Sequence, residues 1–198
     1  GKVKAAYGGY ATAANSKAEG NSVTVTGGSM KDIYGGYTAG SGKTTNNTVS
    51  LGDGAHSLAA GTQIDGVIHG GNKADDTGNT LRVNTNAQAK NIKKFAALNF
   101  NVNSSALDTT RAMLKLTDGS VTDELDWGKL DVDMEKLSGA VMRSYEPYKL
   151  KLMENAAGLS FVKNGTDTYA PIGAKQITKG NHEYSIDTNN HSGVGATT

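Results

Sequence analysis

Apolar and polar residues alternate in short bursts along the first half of this chain, and the bursts repeat. Asn21-Ser22-Val23-Thr24-Val25 is matched by Asn47-Thr48-Val49-Ser50-Leu51 and again by Asn79-Thr80-Leu81-Arg82-Val83. A period of two sends Val49 and Leu51 to one side of a strand and Thr48 and Ser50 to the other. A second phrase alternates with the first: Ala6-Tyr7-Gly8-Gly9-Tyr10, then Ile33-Tyr34-Gly35-Gly36-Tyr37, then a weaker copy, Ile68-His69-Gly70-Gly71-Asn72. The first phrase recurs after 49 − 23 = 26 and 81 − 49 = 32 residues, the second after 34 − 7 = 27 and 69 − 34 = 35. Both spacings lengthen together in the third copy. The added residues fall in 52–67, a Gly/Ala-rich stretch expected to be an insertion loop.

A coherent period with local insertions is the mark of a solenoid. No copy carries a helical period, which argues against ankyrin-type and tetratricopeptide-type repeats. The pattern predicts an all-β chain: a parallel β-helix (β-solenoid) whose coils stack at about 4.8 Å. Val23, Val49 and Leu81 would form one internal ladder, Val25, Leu51 and Val83 another, and Tyr7, Tyr34 and His69 an aromatic row. Residues 1–90 are expected to hold the regular coils and residues 91–198 irregular coils with a C-terminal cap. In that second part the alternation continues in Leu98/Phe100/Val102, Ala112/Leu114/Leu116, Leu130/Val132/Met134, Tyr148/Leu150/Leu152 and Tyr184/Ile186, without the repeat. Turn signals at 117–119, 163–165 and 188–190 separate these strands. A short helix over 134–145 is an alternative for that stretch.

Composition fits short strands joined by tight turns. Of 198 residues 26 are Gly and only 2 Pro, and Cys is absent. Without Cys there is no disulfide, thiol nucleophile or Cys-based zinc site. Twenty Lys and Arg nearly balance 19 Asp and Glu, with no basic run of the kind that tracks nucleic acid. No apolar run reaches the roughly 18 residues of a membrane span, and no signal peptide is expected within these residues. The chain is expected to be a piece of a longer protein.

Four features could carry chemistry. Gly40-Ser41-Gly42-Lys43-Thr44-Thr45 resembles the end of a phosphate-binding loop. The first glycine of that motif would have to stand at 37, where the residue is Tyr37, and a strand rather than a helix is expected to follow. The plainer assignment is a loop between two strands. Asp131 and Asp133 share one face of a strand, with Asp123, Glu124 and Asp126 nearby. That cluster suits a solvated face balanced by Lys129 and Lys136, a Ca²⁺ site, or an acid pair in a polysaccharide-cleaving groove. His56, His69, His182 and His191 are scattered without metal-ligand spacing, and His69 occupies a repeat position held elsewhere by Tyr. Trp127 is expected in a core or cap, with an exposed ligand platform as the alternative. Sequons at Asn46, Asn103, Asn164 and Asn190 matter only in a eukaryotic secretory route.

The succession IYGGYT…NNTVSL, VIHGG…GNTLRV and AKNIKKFAALNFNV resembles passenger regions of large Gram-negative autotransporters, the type V secreted proteins, over residues 5–116. The resemblance implies a β-helix exported to the bacterial cell surface, either anchored at the outer membrane or secreted. It implies a non-catalytic role in adhesion or display. Expected partners are surface proteins or glycans of host or bacterium and the parent chain's own β-barrel, with no nucleic acid. This segment is not expected to span the membrane, because the series of about ten-residue barrel strands is missing. No catalytic, cofactor-binding or metal-binding residue carries over. The competing expectation is a β-helix protein that binds or cleaves carbohydrate.

Overall fold

The structure is a computed structural model that describes residues 1–102, 107–118, 125–126, 130–133, 149–155, 161–163, 166–169, 175–179, 182–187 and 191–197, with side chains described in 1–102, 107–118, 130–133 and 150–155. Every regular element among them is a strand. In chain order these are β1 (Lys2–Ala11), β2 (Ser22–Val25), β3 (Ser29–Thr38), β4 (Thr48–Leu51), β5 (Gln63–Ile64), β6 (Val67–His69), β7 (Thr80–Val83), β8 (Ala87–Ala89), β9 (Asn91–Lys93) and β10 (Ala97–Asn101). There follow β11 (Leu114–Leu116), β12 (Leu125–Asp126), β13 (Leu130–Asp133), β14 (Lys149–Asn155), β15 (Phe161–Lys163), β16 (Thr166–Tyr169), β17 (Lys175–Lys179), β18 (His182–Asp187) and β19 (His191–Thr197).

The strands sort into sheets by repeat, not by neighbourhood in sequence. One sheet has the order β1-β3-β6-β9, with β5 also on β3; a second has β2-β4-β7-β10-β13. A third begins β8-β11-β14 and continues through β19, β18 and β17. All pairs in the first two sheets, and β8-β11-β14, are parallel; β14-β19, β18-β19 and β17-β18 are antiparallel. A fourth, small sheet joins β12 to β15 in parallel and β15 to β16 in antiparallel. From Thr80 to Ala97, 97 − 80 = 17 residues, the chain leaves the second sheet, visits the third at β8 and the first at β9, and returns beside its starting strand.

Register turns the sequence pattern into columns. Val23 pairs with Val49, Val49 with Leu81, Leu81 with Leu98 and Leu98 with Leu130. Two residues on, Val25, Leu51, Val83, Phe100 and Val132 form the second column. Both expected ladders are present, and both run on past residue 90. Facing them from the first sheet is a column of Ala6, Ile33, Ile68 and Ile92. From the third come Ala87, Leu114 and Met153. Ile33, Leu51, Ile68, Leu81, Ile92, Phe100, Leu114 and Leu130 are fully buried in one cluster.

Two details differ from the sequence expectation. Ser50 is buried although it sits on the polar side of the alternation. The stretch 52–67 is not wholly a loop: Gln63–Ile64 forms β5 and pairs with Ser29–Met30, while Val67 opens β6. The offset from β3 changes from 64 − 30 = 34 to 68 − 33 = 35 between β5 and β6. Gly66 is the extra residue, and a Cβ there would run into the Asp32 carboxylate and the Lys31 carbonyl. The region of the alternative helix, 134–145, lies outside the described residues.

Candidate functional site

Why the two phrases travel together is visible in their contacts. A Cβ on Gly35 would lie 2.7 Å from the Gly70 carbonyl oxygen and 3.0 Å from Cβ of Asn47. One on Gly36 would lie 2.5 Å from the Asn47 side-chain nitrogen. The paired glycines leave room for the asparagine that opens the next phrase. Those asparagines form a ladder: the Asn47 side-chain oxygen accepts from the Asn21 backbone N–H at 2.9 Å and from its amide at 3.0 Å. Asn79 receives Asn47 in the same way, and its own amide donates to the Thr44 carbonyl at 2.9 Å. Asn47 and Asn79 are fully buried, so the ladder satisfies polar groups inside the stack.

The phosphate-loop look-alike is settled locally. It runs straight into β4, as expected of a connecting loop. Thr44 is fully buried; its N–H donates to the Asp76 carboxylate at 2.8 Å, and its hydroxyl donates to the other oxygen of the same group. Lys43 pairs with Asp75 at 3.1 Å, and that hydrogen bond holds the Asp75 carboxyl below its usual range. Carboxylates of the next repeat stand where a phosphate would be cradled, which opposes a second anion.

The aromatic row is present and doubled. Tyr7 stacks on Tyr34 at 5.4 Å between ring centroids, and Tyr34 on His69 at 4.4 Å. A second row, Tyr10 on Tyr37 at 5.1 Å, meets the first edge-on. Burial, then Asp32 and the neighbouring rings, push the Tyr34 hydroxyl up from its ordinary value. Tyr7 and Tyr10 remain 40% and 54% exposed. Stacking occupies most ring faces, so this surface offers mainly edges to a partner.

A groove of about 630 Å³ lies on the outer side of the third sheet, walled by the loop 57–62. Its floor follows the stack: Gln88, Lys115 and Glu154 are register neighbours on β8, β11 and β14. Lys151 reaches Glu154 at 3.2 Å. Arg111 on the rim holds Asp108 at 3.2 Å. The Asp108 carboxyl is lowered by the Thr110 hydroxyl first and by Arg111 to a smaller degree. At the outer end Asp65 is ion-paired with Lys2. The volume lies within the usual range for small-ligand sites.

The other sequence candidates do not converge on this groove. Asp131 is exposed, with Asn99 donating to it at 3.3 Å, and Asp133 is half-buried on the same strand. Asp123, Glu124 and Trp127 lie outside the described residues, as does the side chain of Asp126. Among the described residues no group of three His, Asp or Glu side chains is placed to hold a metal. His56 sits on an exposed loop against Asp53 at 2.9 Å, and that bond with two backbone N–H groups lowers the Asp53 carboxyl. No family model, curated protein or solved structure matches this chain.

Proposed function

We propose that this chain is a parallel β-helix segment of an autotransporter-like passenger, displayed at a bacterial surface as a non-catalytic interaction module. Its strands β15 to β19 would serve as the capping end. The observation that carries this reading is the pair of five-residue columns, Val23 to Leu130 and Val25 to Val132, held in parallel register through successive repeats. Stacked repeats give a stiff rod, and insertions project from it without disturbing the stack. The 53–62 loop is such an insertion, and it walls the groove. Resemblance of the repeat phrases to type V passengers supports the export and the surface location. Surface glycans or proteins would be the partners, and the parent chain's β-barrel the anchor.

Antibody labelling of intact cells expressing the parent protein tests the display. Adhesion of those cells in the presence of the soluble 198-residue chain tests the role. The reading expects surface labelling and competed adhesion. Labelling only after lysis, or adhesion indifferent to the soluble chain, would overturn it. A second reading, a carbohydrate-binding or carbohydrate-cleaving β-helix, draws on Asp131 and Asp133, two residues apart on β13 and away from the groove. It requires binding or cleavage of a glycan that is lost in Asp131→Asn or Asp133→Asn.

A further inference from the structure

The groove on the third sheet has a distinctive charge arrangement. Arg111 and Lys151 each hold a carboxylate, Asp108 and Glu154. The groove carboxylate Asp65 is already paired with Lys2. Lys115, midway along the floor, has no side-chain partner among the described residues, although Glu154 lies beside it in register. Its neighbour on the other side is Gln88, and Gln63 stands on β5 in the same lining. Both glutamines are exposed, and neither side chain is hydrogen-bonded among the described residues. Among the described residues the groove therefore presents one cation without an ion-pair partner, Lys115, with the free carboxamide of Gln88 on one side, the Lys151-paired Glu154 on the other, and the free carboxamide of Gln63 on β5 in the same lining. Successive floor residues are spaced about 4.8 Å apart along the stack.

That set selects a ligand class. An ammonium without an ion-pair partner favours a carboxylate or sulfate. Carboxamides, which both donate and accept, suit hydroxyl groups. Among the described residues the lining has no aromatic ring, and the aromatic and apolar anchors typical of protein interfaces are scarce. A concave trough one strand-spacing per step admits a slender chain better than a flat protein surface. We propose that this groove binds a short acidic oligosaccharide, with Lys115 meeting a sugar carboxylate and Gln63 and Gln88 meeting sugar hydroxyls. This deepens the interaction role proposed above and rests on it.

Titration calorimetry of the 198-residue chain with trigalacturonate, maltotriose and triglutamate tests the assignment. Trigalacturonate is expected to bind, with affinity falling as salt rises. Lys115→Gln is expected to weaken it about tenfold, the effect of one lost charge-assisted hydrogen bond. Gln88→Ala should weaken it by less. Lys115 is exposed, so these variants keep the fold, which circular dichroism checks. No heat with trigalacturonate, equal binding of maltotriose, tighter binding of triglutamate, or indifference to Lys115→Gln would each overturn the proposal. Failure here with adhesion still competed by the soluble chain would remove the acidic sugar and leave the display role standing. Loss of that competition would strike the display role instead.

Discussion

The side-chain oxygen of Asn79 accepts twice from Asn47, from the backbone N–H at 2.9 Å and from the side-chain amide at 3.2 Å. Asn47 stands in the same relation to Asn21, and its amide also donates to the Ala18 carbonyl at 2.9 Å. One residue thus joins three successive repeats. Asn47→Ala leaves buried donors and acceptors on both sides without partners, each costing about 1–3 kcal/mol. Chemical denaturation should show a loss of roughly 2–4 kcal/mol. Asn46→Ala, one residue earlier, changes an exposed side chain whose amide bond to Glu19 is long, 3.3 Å. Its cost comes mainly from the left-handed backbone, φ 57°, and Asn46→Gly should be close to neutral.

The paired glycines set the spacing of the repeats. Gly35→Ala places a methyl group 2.7 Å from the Gly70 carbonyl and against Asn47, where backbone must shift. Overpacking of this kind costs about 1–3 kcal/mol. Gly20→Asn, at a position with φ 69° and nothing within 4 Å of the added Cβ, should change the midpoint little. Equal effects of the two substitutions on thermal unfolding would contradict the close approach.

Much of this was legible in the sequence, for a physical reason. A column forms when one residue type recurs at one phase of a repeat, so Val23, Val49 and Leu81 declared themselves through spacing alone. The stacked Tyr7, Tyr34 and His69 did so too. The second aromatic row, Tyr10 on Tyr37, shares the repeat spacing, but a period of two puts residues three apart on opposite faces, so its edge-on contact with the first row is not legible from the sequence. The asparagines open each phrase, but nothing in the spacing says that their amides meet. The groove was not legible. Gln63, Gln88, Lys115 and Glu154 belong to no phrase, and only parallel pairing across β8, β11 and β14 sets three of them side by side.

The tyrosine rows predict a loss of stability in alkali. Burial, ahead of neighbouring rings and Asp32, raises Tyr34; burial, then Tyr10 and Tyr37, raises Tyr7. A raised folded value means the native state binds more protons than the unfolded chain near and above pH 10. The contribution is therefore complete below about pH 10 and falls away as pH climbs through the raised values. Tyr34→Phe should flatten the alkaline fall. An unchanged slope in urea titrations above that pH would contradict the coupling.

The loop 39–47 depends on Asp76 and not on Lys43. Asp76 receives the Thr44 N–H and hydroxyl and the Lys73 N–H, whereas the Lys43–Asp75 pair is exposed. Asp76→Ala should destabilise the protein by about 1–3 kcal/mol and open the loop to proteolysis. Lys43→Ala should be nearly silent. ATP binding that vanishes in Lys43→Ala would refute this assignment of the loop.

The central claim is parallel, in-register stacking of the repeats, and engineered thiols test it without interference because the chain has no cysteine. Arg82, Asn99 and Asp131 are consecutive partners on β7, β10 and β13. Adjacent partners lie at about 4.8 Å, inside the range a disulfide spans, and partners two strands apart at about twice that distance, beyond it. Oxidation should link the double variant Arg82→Cys/Asn99→Cys, and likewise Asn99→Cys/Asp131→Cys. It should leave Arg82→Cys/Asp131→Cys unlinked. Efficient linking of the Arg82/Asp131 pair, or failure of both adjacent pairs, would contradict the stack.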